Sequence, residues 1–146
     1  MRTKTALLDV NVLVALFHAR HIYHQAAHEW LKEGIPLSVC PTVINGCVRV
    51  LAAMPGYHMP VTVSEVANRV HASITKLGLA FWEERINILE SGIFDLQKVA
   101  GPRQITDVYL LGLAVANDGV FATFDQAIPW RAVRNATAHS VLVIPN

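Results

Sequence analysis

Three aspartates close otherwise apolar runs: Asp9 in Leu7-Leu8-Asp9-Val10-Asn11, Asp107 in Ile105-Thr106-Asp107, and Asp125 in Val120-Phe121-Ala122-Thr123-Phe124-Asp125. A carboxylate placed where a buried strand or a new helix emerges stands at the rim of an α/β sheet, so three of them can converge on one divalent cation. Mg²⁺ and Mn²⁺ take oxygen ligands and keep several waters, which suits a crevice of acids. Such an ion polarises a phosphoryl oxygen and supplies hydroxide at neutral pH. Without it the carboxylates repel one another, and one of them should have a raised pKa. The chemistry these residues point to is metal-assisted hydrolysis. Taken singly, each aspartate reads equally well as a helix cap or turn former; their joint placement favours a site. Asp118-Gly119 is a common turn dipeptide and is set aside.

Other groups offer less. His18, His21, His24 and His28 cluster early, and His24 with His28 has the four-residue spacing that can hold a metal on one helix face. No glutamate adjoins His24 and no third ligand stands nearby, so a surface or capping role is expected. Cys40 and Cys47 flank Pro41 with no zinc spacing and read as buried thiols. Ser38, Ser64, Ser73, Ser91 and Ser140 lack a Gly-x-Ser-x-Gly elbow, and phosphate loops of the Walker type are absent, as are Rossmann glycines.

The elements that must position the acids follow from periodicity. Residues 5–8 form a short apolar strand that delivers Asp9 to its end, and Asn11 can cap a helix over 12–17. Residues 23–32 place Ala26, Ala27, Trp30 and Leu31 on one helix face, with Gly34 as the stop. Residues 37–40 read as a strand, and Pro41-Thr42 opens a helix over 43–54 that ends before Pro55-Gly56. Residues 62–77 carry Val63, Val66, Ala67, Val70, Ile74 and Leu77 at helical intervals, closed by Gly78. Residues 79–101 are the least legible: Phe81-Trp82 reads as a strand end, 83–90 as a short helix, and the pattern does not choose. Thr106 is a natural cap for a helix over 107–117, and strands follow over 120–124 and 141–144. Strands alternating with helices predict an α/β fold, a mostly parallel central sheet of four to five strands with helices on both faces. In such sheets the ligand crevice lies at the carboxyl ends of the strands, where Asp9 and Asp125 fall.

The 146 residues suit a single domain, 1–146, and the 53% hydrophobic content suffices for one core. A net charge of +1, with 16% of residues charged, provides no broad field to attract phosphates. Asp9 and Asn11 interrupt the first apolar run before it could act as a signal segment, and no run reaches the ~18 apolar residues of a membrane span. A soluble, cytoplasmic protein with no membrane association is expected.

The set Leu8-Asp9-Val10-Asn11, Thr106-Asp107 followed by Val108-Tyr109-Leu110-Leu111-Gly112-Leu113-Ala114, and Ala122-Thr123-Phe124-Asp125 resembles the PIN-domain ribonucleases, and within them the toxins of the VapC type. Order, separation and length all suit that family across nearly the whole chain. The resemblance implies a PIN-like three-layer fold and a metal-dependent endoribonuclease in which Asp9, Asp107 and Asp125 ligate Mg²⁺ or Mn²⁺. It implies that Asn11 and Thr123 orient the carboxylates or the attacking water; a plain cap and a plain β-former are the alternatives for these two. It further implies a structured RNA substrate, a small antitoxin partner and a homodimer. PIN toxins usually carry a glutamate in the helix after strand two, three residues before an arginine. With Arg49 as that arginine the position is Gly46, so the fourth acid is missing. Three aspartates suffice for one ion; the alternatives are that Asp95 or Glu83 moves in, or that cleavage is poor. Arg49 could meet a phosphate, and Arg20-His21 could lie near the RNA path. Two rival readings stand: a PIN-like binding module without catalysis, motivated by Gly46, and a phosphatase of the haloacid dehalogenase type, motivated by Asp9-Val10-Asn11.

Overall fold

The computed structural model describes residues 2–54 and 62–146. Its elements in chain order are β1 (Ala6–Leu8), α1 (Val10–Phe17), α2 (His24–Leu31), β2 (Leu37–Val39), α3 (Pro41–Ala53), α4 (Val63–Leu77), β3 (Ala80–Phe81), α5 (Ile105–Ala116), β4 (Val120–Thr123) and β5 (Val141–Val143). The five strands form one sheet in the order β3-β2-β1-β4-β5. Every pairing is parallel, with Leu7 beside Ser38 on one flank and beside Phe121 on the other.

The sequence order of the strands runs outward from β1 in one direction, then returns across β1 to continue outward from β4. Right-handed crossovers therefore carry α1–α4 over one face and α5 over the other. This burial on two faces explains why β1 and β4 are apolar runs rather than alternating ones: Ala6, Leu7, Leu8, Phe121 and Ala122 are all 0% exposed. Truncating one such leucine to alanine costs about 2–5 kcal/mol.

Local signals set most boundaries. Pro41 occupies the first turn of α3, where its missing N–H is no loss. Thr62 accepts from the Glu65 amide at 3.1 Å and starts α4, and Gly78, at φ +66°, ends it in the left-handed region that glycine tolerates. Three expectations shift. Helix α1 begins at Val10 with Asp9, not Asn11, in the cap position. Helix α5 begins at Ile105 after Gln104, so Thr106 lies inside the first turn and caps nothing. Residues 83–90, which the pattern left between strand end and helix, form no helix: after the two-residue β3 the chain is irregular, turning at residues 88–89 and 91–93 before a short 3₁₀ turn at Leu96–Lys98. The helix stop expected at Pro55-Gly56 lies outside the described residues.

This irregular strap is seated on α5 at Gly112. A Cβ there would collide with the Phe94 ring, so glycine lets the strap close down on the helix that carries Asp107. Among the described residues no helix is long and apolar enough to cross a membrane.

Candidate active site

The sheet reverses its winding between β1 and β4, the switch point where a crevice opens at the strands' carboxyl ends. Asp9 leaves β1 there, and its amide donates to the Ala122 carbonyl of β4 at 2.9 Å. Its main-chain carbonyl receives the first amides of α1, from Val12 and Leu13 at 3.1 Å each. Its carboxylate makes no cap and is instead turned to Thr123, whose hydroxyl donates to Asp9 Oδ2 at 2.7 Å. Thr123, fully buried at the end of β4, in turn accepts the Asp125 amide at 3.1 Å. One hydroxyl thus ties the first acid to the backbone of the third.

Asp107 enters from the other face of the sheet, in the first turn of α5. Burial, and then the charges of Asp9 and Asp125, push its pKa up to about 7. Asp9 is 8% exposed and is also raised, chiefly by burial and further by Asp125; the Thr123 hydroxyl and the Val10 and Asn11 amides pull the other way. Asp125 is exposed, with Oδ1 accepting the Ala127 amide at 2.8 Å in a tight turn. The three carboxylates therefore sense one another across the switch point. Among the described residues, however, no three His, Cys, Asp or Glu side chains are gathered into a ready-made metal-holding group. The donor set is all oxygen, charge-stressed and partly open to water, which fits a hard hydrated cation better than a soft one. Asn11 is exposed on α1 and makes no side-chain hydrogen bond to a described residue.

The acids offered as substitutes for the missing fourth carboxylate lie elsewhere. Glu83 is exposed and bonds Arg85 at 3.0 Å. Asp95 caps the turn at Leu96–Lys98, accepting from the Gln97 amide. Gly46 is accounted for by packing: a Cβ would stand 2.8 Å from Val10 Cγ2, so the glycine lets α3 approach α1 directly beside Asp9. Asn45 and Arg49 are exposed on α3.

His24 and His28 take the capping role expected of them. The His24 Nδ1–H donates to the Ala15 carbonyl at 2.7 Å and the His28 Nε2–H to Leu16 at 2.8 Å, satisfying the last turn of α1. His21 lies against Tyr23, whose ring packs at 4.7 Å on Phe124, the residue before Asp125. Cys40 and Cys47 are buried and pushed up to about 12, so neither thiol is a nucleophile at neutral pH.

Sequence reasoning missed Glu84. It accepts the Thr42 amide at 2.6 Å, the Thr42 hydroxyl at 2.8 Å and the Tyr109 hydroxyl at 2.8 Å, tying the start of α3 to α5. Burial opposes its charge, but these donors outweigh it and hold Glu84 below the usual carboxylate range. The only signal was an acid in an otherwise unreadable segment.

Residues 6–134 match the PIN domain family. The chain is 40% identical over 134 residues to ribonuclease VapC44 of Mycobacterium tuberculosis, covering 90% of this chain and 94% of that one. It is 33% identical over 125 residues to ribonuclease VapC29 of the same organism, covering 85% and 88%. It is 31% identical over 126 residues to ribonuclease VapC39, covering 85% and 91%.

Proposed function

This chain belongs to the PIN-domain family, among relatives named as VapC ribonucleases, and from that premise we propose that it is an endoribonuclease toxin of a toxin-antitoxin pair that cuts structured cellular RNA. The observation that carries the reading is the Asp9–Thr123–Asp125 linkage at the switch point, faced by the charge-stressed Asp107. Asp9, Asp107 and Asp125 would hold one Mg²⁺ or Mn²⁺. Such an ion supplies a polarised phosphoryl oxygen and an activated water for in-line attack. The chain's own part is orientation: the Thr123 hydroxyl, together with the Val10 and Asn11 amides, orients the Asp9 carboxylate, and the Ala127 amide orients Asp125. Exposed Asn11, two residues past Asp9, would hydrogen-bond substrate or water at the mouth. Three aspartates carry the site, since Glu84 is fully engaged elsewhere and Gly46 has no room for a side chain.

The toxin acts as a homodimer in the cytoplasm and is silenced by a small antitoxin protein. The phosphatase reading of Asp9-Val10-Asn11 falls with the family. The module without catalysis keeps one support, Gly46 in place of a fourth acid. Purified protein incubated with total RNA and Mg²⁺ or Mn²⁺ separates the two: cleavage that chelation abolishes and Asp9→Asn removes is expected. Equal cleavage by both forms would mark a contaminant and remove the support for an enzyme. Induced expression should arrest growth for the wild type and not for Asp107→Ala.

A further inference from the structure

With a net charge of +1, this chain must grip RNA through local contacts rather than a broad field. One place beyond the third acid combines an aromatic ring with two cations. Beyond the Asp125 turn, a 3₁₀ turn at Trp130–Ala132 sets the Arg131 guanidinium 4.4 Å from the Trp130 ring centroid. The Asp95 amide donates to the Ala132 carbonyl at 2.8 Å, which brings the turn bearing Lys98 alongside. Lys98, Ile128, Pro129, Trp130 and Arg131 line an open cavity of about 400 Å³, within the ~300–1,000 Å³ of small-ligand pockets.

The charge there is mostly positive, with Asp95 paired to Lys98 and Arg131 left to face solvent. No Asp or Glu follows Asp125 in the chain, Arg131 is exposed and has no ion pair among the described residues, and Asp95 lies 3.8 Å from the Lys98 ammonium. The cavity is also within reach of the reacting centre: the chain from Asp125 to Trp130 spans at most ~18 Å even fully extended. Two bonds shorten it further, Ala127 amide to Asp125 Oδ1 and Trp130 amide to Ile128 carbonyl, both at 2.8 Å. A flat ring partnered by guanidinium and ammonium groups is the arrangement that stacks an unpaired base and holds the phosphates beside it.

We propose that Trp130, Arg131 and Lys98 form a nucleotide-binding platform for single-stranded RNA next to the scissile phosphate, with Trp130 stacking a base and the two cations holding phosphates. This rests on the ribonuclease reading. Trp130 also packs against the core, and a purely structural Trp130 would affect folding without affecting RNA.

The test uses Asp107→Asn protein, so that no cutting intervenes, and a fluorescein-labelled single-stranded RNA octamer read by anisotropy. Arg131→Glu should weaken binding about tenfold, and Lys98→Ala should lower the slope of log K against log salt by ~0.7, the value for one lost single-strand phosphate contact. Trp130→Leu should also weaken it about tenfold while Trp130→Phe retains most of the affinity, as base stacking requires. In otherwise wild-type protein, Arg131→Glu should raise KM for RNA with kcat little changed. Octamer affinity unchanged in Arg131→Glu, with circular dichroism like the parent, overturns the proposal; that exposed position keeps the test decisive even if Trp130→Leu misfolds. Loss of affinity for a glutamate-rich octapeptide with none for RNA also overturns it and assigns the surface to a protein partner. Absence of RNA cutting by the wild type, with octamer binding that still falls in Arg131→Glu, removes the enzyme reading and leaves the platform standing.

Discussion

Two acidic centres lie against the same helix. Tyr109 and Asp107 are two residues apart on α5; one donates to Glu84, and the other is itself an acid facing Asp9 and Asp125. Glu84 has three protein donors and sits below its usual pKa, so its charge is balanced by the fold. Asp107 is pushed up to about 7 by burial and two like charges, and its side chain receives no hydrogen bond from a described residue. A folded chain that spends its donors on one carboxylate and withholds them from another has left the second to be balanced from outside. Glu84 holds the architecture together; the aspartates wait for a cation and a substrate.

Breaking the second centre should give the largest effect. Asp107→Asn should lower RNA cleavage by more than the ~100-fold upper bound for losing a group that only orients a metal ligand. In the presence of a chelator the same change should raise the melting temperature at pH 8, because it removes a repelled, partly buried charge. A variant less stable than the wild type under those conditions would contradict the charge stress ascribed to Asp107. Thr123→Val comes next. It keeps the shape of a fully buried side chain but removes the donor to Asp9 and the acceptor for the Asp125 amide. Cleavage should fall about 10–100-fold, the range for losing a group that orients a ligand, with kcat affected more than KM.

Breaking the first centre should reverse the balance between stability and activity. Glu84→Ala leaves the Thr42 amide and hydroxyl without their acceptor and the Tyr109 hydroxyl with only the Ile86 carbonyl at 3.2 Å. Stability should drop by about 1–3 kcal/mol, read as a shift in urea midpoint, while turnover per folded molecule stays near wild type. Tyr109→Phe removes a single donor and should cost only about 0.5–1.5 kcal/mol. A loss of activity in Tyr109→Phe equal to that in Asp107→Asn would show that the two centres are not separable.

The two centres also differ in how far sequence reveals them. Asp9, Asp107 and Asp125 stand out because each ends an apolar run, and runs buried on both faces of a sheet are readable without knowing their neighbours. The amphipathic spacing of α4, with Thr62 before it and Gly78 after, fixed both ends of that helix. Boundaries at the site itself were displaced because Asp9 caps α1 through its main-chain carbonyl, leaving Asn11 no capping role, and because Gln104 rather than Thr106 precedes α5. Glu84 stayed hidden because its partners, Thr42 and Tyr109, are distant in sequence, and because the strap carrying it follows neither a helical nor a regular strand period. Phe81 lies in a strand of two residues and is 58% exposed, so even its strand signal was faint.

The pH dependence of stability is the sharpest test of the contrast, because its sign differs between the centres. The Asp107 pKa is about 7 when folded and 3.8 when unconstrained, so the folded chain binds this proton more tightly. Its favourable contribution is complete below the unfolded value, declines as pH rises through the interval, and is gone above the folded value. The stability gap between Asp107→Asn and wild type, measured without divalent ions, should therefore widen from acid to neutral pH and then level off. A one-unit shift corresponds to ~1.4 kcal/mol, and with solvent screening of a partly exposed carboxylate the gap should open by only about 1–2 kcal/mol. Glu84 is lowered instead, so its contribution is present above 4.5 and is lost as pH falls below that value. The gap between wild type and Glu84→Gln should accordingly close toward acid pH without reversing sign at neutral pH. Parallel profiles for the two variants would mean that both acids meet the same kind of surroundings, and the division between a structural carboxylate and a site carboxylate would collapse.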